Sequence, residues 1–242
     1  MSVFEFDPPA PASIAIHDSQ NRFPVRRIFC VGRNYAAHAR EMGKDPDREP
    51  PFFFTKPADA VVDSGNRIPY PPETKDFHYE IELIVAIGQD CDNVPPERAL
   101  DVVWGYGVGI DLTRRDLQLA ARDKGRPWDW GKAFDLSAPC APLRRASQVG
   151  HPARGRIWLA VNGSIRQDAD ISELIWNVPD IVSILSCSMS LKRGDIIMTG
   201  TPAGVGAIVA GDRVTGGIDG LGEISIDIIE GSAGGQRGGR AA

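Results

Sequence analysis

Prolines and glycines punctuate this chain so often that little room is left for long helices: 19 prolines and 26 glycines are spread through 242 residues. Proline removes a backbone donor and fixes φ, and glycine favours turns, so the segments between them are held to short elements. Most of those segments are apolar runs of strand length. HYEIELIVAIG (78–88) is the clearest, and further strands are predicted at Val103–Ile110, Arg156–Val161, Asp195–Thr199 and Glu223–Ile229. Arg27–Val31 is a short apolar run, and PFFFTKP (51–57) is an extended apolar segment bracketed by prolines. Helices are predicted at Pro96–Val102, Arg114–Lys124 and Pro179–Ser190, and Asn34 can cap a short helix over Tyr35–Met42 that Gly43 ends. Strands outnumber helices, which predicts an α+β, mainly β architecture.

Residues 1–24, rich in proline and small side chains, read as an N-terminal arm with one short strand. The organised domain spans 25–230, and GSAGGQRGGRAA (231–242) reads as a flexible glycine-rich tail. With 42% hydrophobic and 24% charged residues the chain has the balance of a globular protein, long enough to bury a sizeable core. A formal net charge of −5, with arginines scattered among acids, argues against a nucleic-acid partner. No stretch approaches the roughly 20 apolar residues that a membrane helix requires. Cys30, Cys91, Cys140 and Cys187 lie far apart with no CxxC pair, which predicts reduced, buried packing thiols in a cytoplasmic protein.

The chemistry concentrates at Glu80 and Glu82. Alternate residues of a strand face the same way, so these two carboxylates project together while Ile81 and Leu83 take the opposite, buried face. Crowded carboxylates repel, and one takes a proton unless a cation offsets the charge. Asp111, at the end of the apolar strand that finishes with Ile110, can add a third oxygen, and three carboxylates suit hard Mg²⁺ or Mn²⁺ better than zinc. Alternating acids also mark the solvated faces of sheets, so spacing alone leaves both possibilities open. His38 and Glu41, three apart on the predicted short helix, form a pair in which the carboxylate can orient the imidazole as a general base for water; an incidental polar pair on an exposed helix fits the same spacing. Gly32 and Gly43 flank that segment, which would let it close as a lid. His78 shares the strand face of the two glutamates and reads as a hydrogen-bonded structural histidine. In RPWDWGKAFD, Lys132 lies among aromatics and can supply one cation to a carboxylate or enolate, or be a surface lysine beside core rings. TGTPAGVG (199–206) offers backbone N–H groups and Thr201 for an anion, without the lysine of a phosphate-binding loop.

Taken in order, VGRNYAAHAREMG, FFFTKPADAVV, HYEIELIVAIG, GYGVGIDLTRRDLQ, WDWGKAFD and LKRGDIIMTGTPAGVG resemble the fumarylacetoacetate hydrolase family from about Val25 to Ile229. The resemblance implies the family's mixed β-sandwich roll with a few short helices. It also implies Glu80, Glu82 and Asp111 as ligands of Mg²⁺ or Mn²⁺, His38 with Glu41 as the water-activating pair, and Lys132, Gln118 and Thr201 facing the substrate. Arg33 and Lys56 are further expected pocket residues. Relatives usually carry Asn before the third ligand, where this chain has Ile110. The implied activity is hydrolysis of a carbon-carbon bond in an acylpyruvate, with fumarylpyruvate of gentisate-type aromatic breakdown giving fumarate and pyruvate. Oxaloacetate decarboxylation or tautomerisation on the same scaffold, or noncatalytic binding of a metal or ligand, are the alternatives. The implied partner is a small dioxo acid, with a homodimer as the assembly.

Overall fold

The computed structural model describes residues 4–36 and 50–231. It is a mainly β protein in which a curled eight-stranded sheet is backed by a five-stranded sheet. At the centre of the larger sheet, Ile81–Ile87 pairs antiparallel with both Asp195–Met198 and Val103–Ile110. Arg27–Gly32 adds to Asp195–Met198 in parallel, and Phe52–Lys56 closes that side. These runs are mainly apolar, and Ile81–Ile87 and Asp195–Met198 are buried at every position, because both faces of the sheet are covered there.

One face carries Leu83, Val85 and Ile87, which share a core with Ile157, Leu159, Ile224 and Ile226 of the five-stranded sheet. The other face carries Ile84 and Ala86, packed with Ile28, Cys30 and Met198. This second face is covered by the N-terminal region, whose Ser13–Ala15 and Arg22–Pro24 pair antiparallel and bury Ile14 and Phe23. Two strands thus stand where the sequence predicted one, since both sides of this hairpin bring an apolar residue to the same surface.

The predicted strands at Val103–Ile110 and Arg156–Val161 are found with those bounds, and the other two as Asp195–Met198 and Gly222–Ile229. Helices form at Arg115–Asp123 and Val178–Ser188, the latter capped by Asn177, whose side chain accepts the Asp180 amide at 3.0 Å. Pro96–Val102 is a tighter 3-10 helix instead of an α-helix. Strands at Ser164–Asp170 and Arg213–Ile218 had no counterpart among the predictions. Tyr35 forms an isolated bridge with Leu174. The remainder of the predicted helix beyond Ala36, with His38, Glu41 and Gly43, and the predicted tail from residue 232 on lie outside the described residues. Cys30 and Cys140 are buried, but Cys187 is exposed and Cys91 half-buried, so packing does not account for all four thiols; none is in a disulfide. Among the described residues no helix is long and apolar enough to cross a membrane.

Candidate active site

The chain changes sheets at Glu80. Phe77–Tyr79 belongs to a small sheet with Thr113–Arg114 and Gly206–Ala207, whereas Ile81–Ile87 enters the large one. At the junction the Ile81 amide donates to Gln167 Oε1 at 3.0 Å, and the Glu80 carbonyl accepts the Asp111 amide at 2.8 Å. The sequence predicted one continuous strand here; the break falls where a side chain takes the Ile81 N–H out of the strand ladder.

Glu80, Glu82 and Asp111 nevertheless converge, each offering a carboxylate oxygen within 4.8 Å of the others. They are 5%, 2% and 0% exposed. Among the described residues three basic side chains contact Glu80 or Asp111. Lys132 Nζ donates to Glu80 Oε2 at 2.8 Å, Asp111 Oδ2 at 2.6 Å and Thr113 Oγ1 at 2.7 Å. Arg115 donates to both Glu80 and Gln118. Lys56 Nζ lies 2.8 Å from Asp111 Oδ1 and donates to the Leu112 carbonyl at 3.1 Å and to the Lys132 carbonyl. Burial alone would lower the Lys132 pKa, but Asp111 and Glu80 outweigh it and hold the ammonium above the usual lysine range.

Glu82 is placed differently. Its hydrogen bond among the described residues comes from the Gly200 amide at 2.8 Å, in the TGTPAGVG turn. Burial first, then the charges of Asp111 and Glu80, push its carboxyl well above the usual carboxylate range. Asp111 Oδ1, despite its nearness to Lys56, has no hydrogen bond of acceptable geometry among the described residues. A buried all-oxygen donor set with one acid this strongly destabilised as an anion fits a hard dication. Ile110, in the position where Asn was expected, packs in the apolar core, so Asp111 is contacted by the two lysines instead.

The triad opens onto a cleft. Arg33, Gln118, Lys132 and Thr201 line it, and so do Trp128 and Arg122. Lys132 is delivered by the short helix Asp129–Lys132, and Gln118 by Arg115–Asp123. Trp128 is braced edge-on by Phe52, with ring centroids 5.3 Å apart, and the Arg33 guanidinium lies 5.2 Å from the Phe52 centroid. Lys56 is a correction: it does not border the cleft but sits behind Asp111, its side chain fully buried. His78 bonds Asp76 at 2.7 Å, as expected of a structural histidine, and Trp130 is 75% exposed. His38 and Glu41 cannot be placed relative to the triad, since both lie outside the described residues. Sequence reasoning missed Arg115, Arg122 and Thr113. The basic pair after Asp111 in GYGVGIDLTRRDLQ was the available signal for Arg115.

The fumarylacetoacetate (FAA) hydrolase C-terminal family profile matches residues 27–229. A crystal structure of fumarylpyruvate hydrolase from Pseudomonas aeruginosa, in complex with Mn²⁺ and pyruvate, superposes with a TM-score of 0.93 at 56% identity, covering 94% of this chain and 100% of that one. A fumarylpyruvate hydrolase of Ralstonia sp is 45% identical over 189 residues, 77% of this chain and 98% of its own length. A mitochondrial oxaloacetate tautomerase of Arabidopsis thaliana is 40% identical over 202 residues, 84% of this chain and 90% of its own. The match over 27–229 and relatives of this similarity along most of the chain agree with the order of motifs and the converging acids: this protein belongs to the fumarylacetoacetate hydrolase family.

Proposed function

We propose that this chain is a divalent-metal-dependent hydrolase of acylpyruvates that cleaves fumarylpyruvate to fumarate and pyruvate. The observation that carries the reading is the buried convergence of Glu80, Glu82 and Asp111 beside a cleft into which Lys132 brings a fixed positive charge. The two fumarylpyruvate hydrolase relatives support the substrate class.

Glu80, Glu82 and Asp111 would hold the metal, which when bound supplies a Lewis acid for the pyruvoyl oxygens. Gln118, Arg33 and Thr201 orient the substrate from the cleft walls. His38, held by Glu41, takes a proton from water, and the hydroxide attacks the carbonyl distal to the pyruvoyl unit. The tetrahedral adduct collapses with cleavage of the carbon-carbon bond. The departing fragment is pyruvate enolate, whose negative charge lies within reach of the Lys132 ammonium before a proton converts it to pyruvate.

Tautomerisation of oxaloacetate is a second reading, favoured by the Arabidopsis relative. It uses the same stabilisation of an enolate but needs no attacking water. Decay of fumarylpyruvate absorbance, followed with Mg²⁺ or Mn²⁺ beside an oxaloacetate assay, decides between them. Fumarylpyruvate turnover exceeding that of oxaloacetate is expected; the reverse result assigns the chain to the second reading, and inertness toward all dioxo acids makes it a binding protein. A homodimer is expected by light scattering.

A further inference from the structure

We propose that Gln167 is a positioning residue of the cleft: its buried amide fixes the Thr201 hydroxyl so that the hydroxyl proton points at an anionic oxygen of the bound substrate. Gln167 lies on Ser164–Asp170, a strand whose other residues are exposed or half-buried, yet it is itself fully buried. It faces inward opposite Leu159, and a bulge adjoins it. Leu159 pairs with Gln167 and Ala160 with Ile165, so Arg166 is an extra residue without a partner across the ladder. The Thr199–Gly206 turn is seated against this bulge: a Cβ at Gly204 would lie 2.1 Å from the Arg166 carbonyl oxygen, so only glycine fits there.

The orientation of the amide is fixed by chemistry at both ends. Its oxygen must face the Ile81 N–H at 3.0 Å, which can only donate, and its nitrogen must face the Pro202 carbonyl at 2.8 Å, which can only accept. The same nitrogen meets Thr201 Oγ1 at 2.8 Å. Thr201 is therefore the acceptor in that bond, and its single hydroxyl proton is left to donate elsewhere. Among the described residues no protein acceptor takes it, and Thr201 borders the cleft. The same side chain thus ties Ile81, the residue between two acids of the triad, to the wall that faces the substrate. A carboxylate or enolate oxygen is the acceptor this donor suits.

The substrate part of this proposal rests on the dioxo-acid reading, so the test has a readout that does not need turnover. Gln167→Met, Thr201→Val and the double variant are compared for kcat/KM on fumarylpyruvate and, with Mn²⁺ present, for calorimetric binding of oxalate, a planar mimic of pyruvate enolate. Each single change is expected to lower kcat/KM and oxalate affinity by roughly tenfold, the worth of one oriented hydrogen bond. The double variant is expected to be no worse than Thr201→Val alone, because Gln167 acts through that hydroxyl. Mn²⁺ affinity should be unchanged in all three, and Thr201→Ser should restore most of the loss. Parent-like values for Gln167→Met, multiplying effects in the double variant, or a parallel loss of Mn²⁺ affinity would each overturn the proposal. Should Gln167→Met unfold below the assay temperature, Gln167→Asn, which draws the amide back by one methylene, takes its place with the same expectations. If the parent turns over no dioxo acid, the proposed function fails and the oxalate titration alone decides the role of Gln167.

Discussion

The inner end of the cleft and its mouth are built in opposite ways. Inside, Glu80, Glu82, Asp111 and Lys132 are at most 5% exposed, and each is held by backbone or by a charged neighbour. At the mouth, Arg33 and Trp128 are half-buried, and Arg122 is exposed with its guanidinium 2.9 Å from the adjacent Asp123. Groups that meet developing charge gain from being immobilised before the reaction, since no reorganisation is then required. Groups that read the far end of a substrate make their contacts in water, where each is worth little. Chemistry and acyl-group preference should therefore be separable by mutation.

The strongest test of that separation is Glu82→Ala. It should abolish Mn²⁺ uptake measured by calorimetry and lower turnover of every dioxo acid by roughly a thousandfold or more. Retained metal affinity would remove the inner end from the chemistry. His38→Ala should cost roughly a hundredfold or more in fumarylpyruvate hydrolysis while leaving Mn²⁺ affinity intact, separating water activation from metal binding. At the mouth, Arg122→Ala should raise KM for fumarylpyruvate only about threefold and leave acetylpyruvate, which lacks the distal carboxylate, unchanged. An equal loss on both substrates would place Arg122 with the inner groups. The smallest effect is expected for Trp130→Ala: this exposed side chain lies outside the cleft lining, and steady-state kinetics should match the parent.

What could be read from the sequence follows from how many neighbours a residue's role requires. Ile81–Ile87 and Val103–Ile110 are buried on both faces, so their apolar runs announce strands without knowledge of the partner. Ser164–Asp170 is polar along most of its length, and its one fully buried residue is a glutamine; neither its periodicity nor its composition distinguishes it from a loop. The same contrast holds in the site. Glu80 and Glu82 converge because they alternate within one segment, and the ordered family motifs supplied Asp111 from a second. Lys56 was assigned to the pocket, but its depth depends on how Phe52–Lys56 sits relative to Asp111 and Leu112, a relation set by sheet order. Gln167 was invisible for a similar reason: a strand of one sheet aims it at a turn leaving another.

The charge count around the triad reaches beyond the contacts themselves. Among the described residues the three acids are matched in number by Lys56, Arg115 and Lys132, whose ion pairs fall on Glu80 and Asp111. A dication added to that balance would leave an island of surplus positive potential inside a molecule whose formal net charge is −5. A doubly charged acid drifting past would be repelled by most of the surface and drawn in at one opening, a funnel that dissolved salt flattens over roughly 10 Å.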